Sequence, residues 1–154
     1  MKRFAIAILC AAVLALTGCA TSQSVTLGTT NPPKAFGSGA ASLIPQEGNS
    51  ASMDINVTQY LQASGISVKA PVAAGTRQAS DVDMLVAYSD VWRWDLVMYL
   101  KTVNVNIFEA KSGNLVVTGR WDNSPLHGFQ DPNQIIKELM SEMMAKVKQV
   151  TERP

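Results

Sequence analysis

Residues 97–107 impose the tightest constraint on the fold. Val97, Tyr99, Val103, Val105 and Ile107 alternate with Thr102, Asn104 and Asn106. A two-residue period puts one side chain set on each face of an extended chain, so this is a long strand with one face buried. Lys101 is the one discord on its apolar side. Glu109 to Asn114 supplies a turn around Ser112-Gly113, and Leu115, Val117 and Trp121 return on a common face with Gly119 between them. A hairpin of this length exposes an apolar face that two strands alone do not cover, so the chain must supply helices or a second sheet.

Helical spacing supplies the cover. Met53, Val57, Tyr60 and Leu61 recur every three or four residues, preceded by the possible caps Asn49, Ser50 and Ser52 and followed by Gly65. Near the C-terminus, Ile135, Ile136, Leu139, Met140, Met143, Met144 and Val147 form a stripe. Asp131 can cap it, Pro132 fits the first turn, and Gln134 completes a capping-box pattern. At this spacing the methionines read as core residues packed on a sheet, with a soft, adaptable binding surface as the alternative. Glu142 and Lys146 form an i,i+4 pair on the outer face. Ala40–Ile44 and Ile66–Lys69 read as short strands, and Val72–Ser80 as a loop. Asp81–Tyr88 reads as a central strand, because Val82, Met84, Val86 and Tyr88 line one face and Leu85 and Ala87 the other. A crossover through the first helix makes the first two strands parallel. The expected fold is α+β: a two-layer sandwich with a mixed, mostly antiparallel sheet of about five strands and two helices on one face.

The N-terminus carries a different signal. Met1-Lys2-Arg3 is positive, Phe4–Leu16 is apolar and uncharged, and small residues follow. This is a secretory signal peptide whose apolar run is short for a bilayer span. Leu16-Thr17-Gly18-Cys19 resembles the bacterial lipobox. The resemblance implies cleavage after residue 18 and a diacylglycerol thioether on Cys19, with an N-acyl chain on the new amino group. No other cofactor is expected from the residues. Ala20, not aspartate, follows the cysteine, which in the enteric sorting pattern implies the outer membrane with the domain facing the periplasm. A surface-facing orientation is the other arrangement that pattern leaves open. Two or three acyl chains bind far more firmly than one.

Cleavage leaves 11 basic against 12 acidic residues, a net charge near −1. A nearly neutral chain has no electrostatic footprint for nucleic acid or an anionic surface, so attachment to the membrane falls to the lipid. Cys10 is lost with the signal, which leaves Cys19 alone and no disulfide framework. Residues 19–39 read as a lipid-anchored flexible tether, polar and Pro/Gly-rich with isolated Val25 and Leu27. As a coil of roughly 18 residues it spans on the order of 25 Å. Residues 40–154 then form one periplasmic domain.

The element order resembles, loosely, small periplasmic assembly domains: the amino-terminal domain of the Tol–Pal translocation protein, the curli-secretion lipoprotein and the penicillin-binding-protein activator lipoproteins. The stretches Asp81–Tyr88 and Trp92–Leu100, with the Ser112-Gly113 hairpin, resemble uncharacterised proteobacterial outer-membrane lipoproteins over about half the mature chain. That resemblance implies the fold and the anchor but lends no activity.

Ser89–Asp95 concentrates unusual chemistry. Trp92, Arg93, Trp94 and Asp95, with Trp121 and His127, could form a ligand edge. Indoles would stack, Arg93 would meet a carboxylate or phosphate, and the aspartates would meet hydroxyls of a glycan fragment, peptide or small anion. In the plainer reading the tryptophans cover one end of the sheet, and Arg93 pairs with an aspartate at a strand-to-strand bend. No catalytic set is assigned. His127 is the only histidine, and pairing it with Ser124 as base and nucleophile would need an orienting acid and an oxyanion site. No metal site is assigned either: Asp81-Val82-Asp83 lacks the glycine and later glutamate of a calcium loop. Gly37-Ser38-Gly39 lacks the lysine of a phosphate loop. The expected function is non-enzymatic: an anchored domain that binds an envelope protein partner, with ligand binding at the Trp/Arg cluster as the alternative.

Overall fold

The computed structural model describes residues 21–29, 32, 39–124 and 128–152. They form strands β1 (Ser22–Leu27), β2 (Ala40–Ile44), β3 (Ser67–Val68), β4 (Met84–Asp95), β5 (Val97–Glu109) and β6 (Leu115–Asp122), with helices α1 (Ala51–Ala63) and α2 (Pro132–Thr151). The strands make one sheet in the order β1-β6-β5-β4-β2-β3. β2 is parallel to β3 and β4, and the remaining pairs are antiparallel. The expected α+β sandwich is present. Among the described residues, no helix is long and apolar enough to cross a membrane. Residues 1–20, and with them the expected signal peptide and Cys19, lie outside the described residues, as do Gly37, Ser38 and His127.

Side chains from five strands meet in rows under the helices. Leu43, Val86, Ile107, Val117 and Leu27 are successive register partners across the sheet. Tyr88, Val105, Gly119 and Val25 form the next row. Met53, Val57 and Leu61 of α1 and Ile136, Leu139, Met140 and Met143 of α2 close over these rows in one core. α2 sits close because Gly119 has no side chain: a Cβ there would come within 2.5 Å of Met143 Sδ. The opposite face is covered by the chain between β3 and β4, with Val72 and Ala79 packed near Leu85, Ala87 and Ala110. β4 is therefore buried on both faces over Met84–Tyr88, as its double apolar pattern requires.

The helix ends follow local chemistry. α1 closes in a Schellman arrangement: Gly65 takes φ 81° and donates to the Gln62 carbonyl, and Ile66 N donates to that of Leu61, each at 3.0 Å. Asp131 caps α2 by accepting from Asn133 N at 3.0 Å.

Several expectations are corrected. Residues 22–27 are not flexible tether but the edge strand β1, paired with β6 from Ser22↔Asp122 to Leu27↔Val117. That strand brings the sheet from about five strands to six. Gln134 does not complete a capping box; its amide donates along the helix to Glu138 Oε1. Glu142 and Lys146 each reach β1: the exposed Glu142 accepts from Gln23 Nε2, and the half-buried Lys146 donates through Nζ to the Val25 carbonyl, both at 2.6 Å. A register shift between Ile107 and Phe108 sets Leu115 opposite Phe108, off the face that Val117 and Trp121 share.

Candidate functional site

The strand pairings define a projecting arm. β2 accompanies β4 only as far as Ile44↔Ala87, and β6 accompanies β5 only as far as Asp122↔Thr102. Beyond those points β4 and β5 continue as a two-stranded hairpin: Trp92↔Leu100, Arg93↔Tyr99, Trp94↔Met98 and Asp95↔Val97. The expected bend at Ser89–Asp95 is thus corrected to a strand, and the reversal falls on Leu96 alone. Leu96 has φ 62°. A branched side chain in the left-handed region costs about 1–2 kcal/mol, where turns ordinarily use glycine or asparagine.

Lys101 marks the root of the arm. Between Val91↔Thr102 and Trp92↔Leu100 the register skips it, forming a bulge. A one-residue slip exchanges the faces of everything beyond. Leu100 therefore turns into the core, and Val97 and Tyr99, expected on the face of Val103, turn to the other side. The root is clamped by Asn123, whose N donates to the Lys101 carbonyl at 2.8 Å and whose Nδ2 donates to that of Leu100 at 3.1 Å. Lys101 Nζ donates to the Asn123 carbonyl at 2.7 Å.

A polar brace ties this root to α1. Asp90 accepts from Ser50 N at 3.2 Å, from Ser50 Oγ at 2.6 Å and from Trp92 Nε1. Ser50, the N-cap of α1, spends its hydroxyl on Asp90 and not on its own helix. Tyr88 OH donates to Asp54 Oδ1 at 2.7 Å, and Asn49 Nδ2 donates to the Tyr88 carbonyl at 3.0 Å. Two carboxylates at the first turn of α1 complement its positive end. Burial, then the hydrogen bond and charge of Asp54, push the Tyr88 phenol far above its ordinary range, so it keeps its proton. This is bracing chemistry, with no activated nucleophile in it.

On the neighbouring strands, Arg120 Nε lies 2.5 Å from Asp122 Oδ2, and Thr102 Oγ1 donates to Asp122 Oδ1 at 2.9 Å. The Arg120 hydrogen bond holds the Asp122 carboxyl below its ordinary range. The pair is solvent-exposed on the Arg120 side and adds little stability.

The candidate ligand residues go to different places. Trp121 is 4% exposed, in the core beside Val103. Trp92 is half-buried against the core, with its Nε1 on Asp90. Arg93 and Asp95 are exposed on one side of the arm, and Trp94 is 70% exposed on the other. The structure brings Trp92 and Trp94 to one side of the hairpin but sets Trp121 under the helices. Leu96 (83% exposed), Met98 (55%) and Val97 complete an apolar tip that sequence reasoning missed. Its signal was available: Leu96-Val97-Met98 is an apolar run at a chain reversal. Phe129 meets Tyr99 edge-on, with ring centroids 6.4 Å apart.

Clefts lie elsewhere among the described residues. One of about 370 Å³ is lined by Ile44, Pro45, Gly75, Arg77 and Phe108, and one of about 310 Å³ by Leu43, Asp54, Ile55, Thr58 and Pro71. Among the described residues, no group of three or more histidines, cysteines or carboxylates is disposed to hold a metal.

No family model matches the chain, and no curated protein matches it. Among solved structures it is similar to the PelC dodecamer from Paraburkholderia phytofirmans, with a TM-score of 0.53 and 13% identity over 82% of this chain and 96% of that one. A point variant of the same dodecamer in another crystal form gives 0.50 and 13% over 83% and 97%. A PDZ domain protein from Parabacteroides distasonis gives 0.45 and 10% over 90% of this chain and 38% of that one. The likeness to PelC is one of fold.

Proposed function

We propose that this protein is a lipid-anchored lipoprotein of the outer membrane, facing the periplasm, that acts by binding and not by catalysis. The lipobox-like Leu16-Thr17-Gly18-Cys19 behind an apolar signal supports the anchor. The observation that carries the binding role is the β4–β5 arm, which holds Trp94, Leu96, Val97 and Met98 clear of the fold. Clustered exposed apolar residues mark interaction sites. The alternative of a glycan, peptide or anion held by a Trp/Arg cluster is left with Trp94, Arg93 and Asp95, because packing takes up Trp121 and Trp92. PelC, of similar fold, is a dodecamer, so further copies of this chain belong among the partners to assay with other envelope proteins.

Intact mass of the membrane fraction should give a chain that begins at Cys19 and carries acyl groups. Cys19→Ala should fold unchanged by circular dichroism and leave the membrane. A photoreactive residue at position 98 should capture an envelope component, protein or lipid, above the capture at exposed position 137 on α2. Equal capture at both positions, with the anchor intact, would defeat the binding role.

A further inference from the structure

The arm and the N-terminal end of the domain leave the sheet at the same end. Ser22 pairs with Asp122, and Asp122 with Thr102, so the chain before Ser22 emerges level with the root of the arm. Cys19 is three residues upstream of Ser22. Even fully extended, that segment reaches only about 10 Å. From Thr102 the arm runs in the same direction to Leu96, about 20 Å at ~3.3 Å per residue. An acyl chain on Cys19 is therefore tethered closer to the sheet end than the arm projects.

The tip has the chemistry of an interface with lipid. Trp94 and Met98 are apolar on one side of the hairpin, Val97 stands beside the exposed Asp95 on the other, and Leu96 lies at the apex. A flat protein partner covers one side of a hairpin, whereas a fluid medium surrounds both. Indole favours the boundary between headgroups and acyl chains, and the exposed Arg93 matches headgroup phosphates. Leu96 keeps a large apolar side chain at the apex despite its left-handed φ.

We propose that the β4–β5 tip is a second membrane contact, seated at the headgroup–acyl boundary of the leaflet that holds the lipid on Cys19. It rests on the lipid-anchor reading and names the bilayer as what the arm binds. The domain then stands end-on to the membrane, fixed at two points, and does not swing on a long tether.

The test uses the full lipidated protein in phosphatidylcholine vesicles with acyl chains brominated near the headgroup or near the chain end. Shallow bromine should quench tryptophan emission more than deep bromine. Trp94→Phe should remove that quenching, since Trp92 and Trp121 are packed. Leu96→Asp, which retains all three indoles, should remove it as well. An acylated, vesicle-bound protein whose Trp94 emission ignores bromine overturns the inference and leaves the anchor standing. Emission that follows protein density and not bromine assigns the tip to a second copy and also overturns it. A chain without acyl groups that fails to float with vesicles overturns both.

Discussion

One hairpin contains both fully enclosed and widely open parts of this molecule. Met84–Tyr88 and Val103–Ile107 lie between β2 and β6 and beneath two helices, and their apolar side chains are buried. A few residues further, Trp94, Leu96, Val97 and Met98 on the same two strands stand in solvent. Apolar content does not separate the halves, since both are rich in apolar residues. The boundary is set by where the neighbouring strands stop, at Ala87 on one side and Thr102 on the other. Exposure of an apolar strand is decided by its neighbours' lengths.

The largest expected effect tests that boundary within β5. Ile107→Ala should destabilise by about 2–5 kcal/mol through lost burial and a cavity. Met98→Ala should change stability by no more than about 0.5 kcal/mol. Chemical denaturation measures both, and comparable losses would make the arm part of the core. Next is the brace at the root, where Tyr88→Phe should cost about 1–2 kcal/mol by orphaning the Asp54 contact. It should also alter the alkaline limb. The folded state raises the Tyr88 pKa above its ordinary 10.0, so its contribution is complete below that pH and is lost as pH rises beyond it. Denaturation followed above pH ~10 should show a shallower decline in the Phe variant. The smallest effect belongs to the tip. Leu96→Gly relieves a left-handed φ at some entropic cost and should raise stability by up to about 1 kcal/mol, read as a small rise in Tm. A fall would mean that the Leu96 side chain is packed.

Much of the layer structure was legible because periodicity there reports burial directly. Met53, Val57 and Leu61 with Gly65 delimit α1, the stripe from Ile135 to Val147 delimits α2, and apolar residues at both parities mark β4 as central. β1 was illegible because an edge strand buries little: of six residues, only Val25 is buried and Leu27 partly so. Its partner lies about a hundred residues away, beyond any local pattern. The arm was misjudged for one reason, an alternation counted unbroken from Val97 through Lys101. A lysine on an apolar face was the trace of the bulge. Trp121 was legible from sequence, since it shares parity with Val117 on the core face, and that placement already argued against its part in a ligand edge.

The pairing of β1 with β6 has a consequence for how the chain comes together. In order of synthesis β1 is the first of these elements, and five others are made before its partner exists. Until then Val25 has nothing to cover, and the contact from Lys146 is later still. Closing so long a loop is slow compared with forming a local hairpin or helix. The first strand made is thus among the last to lock.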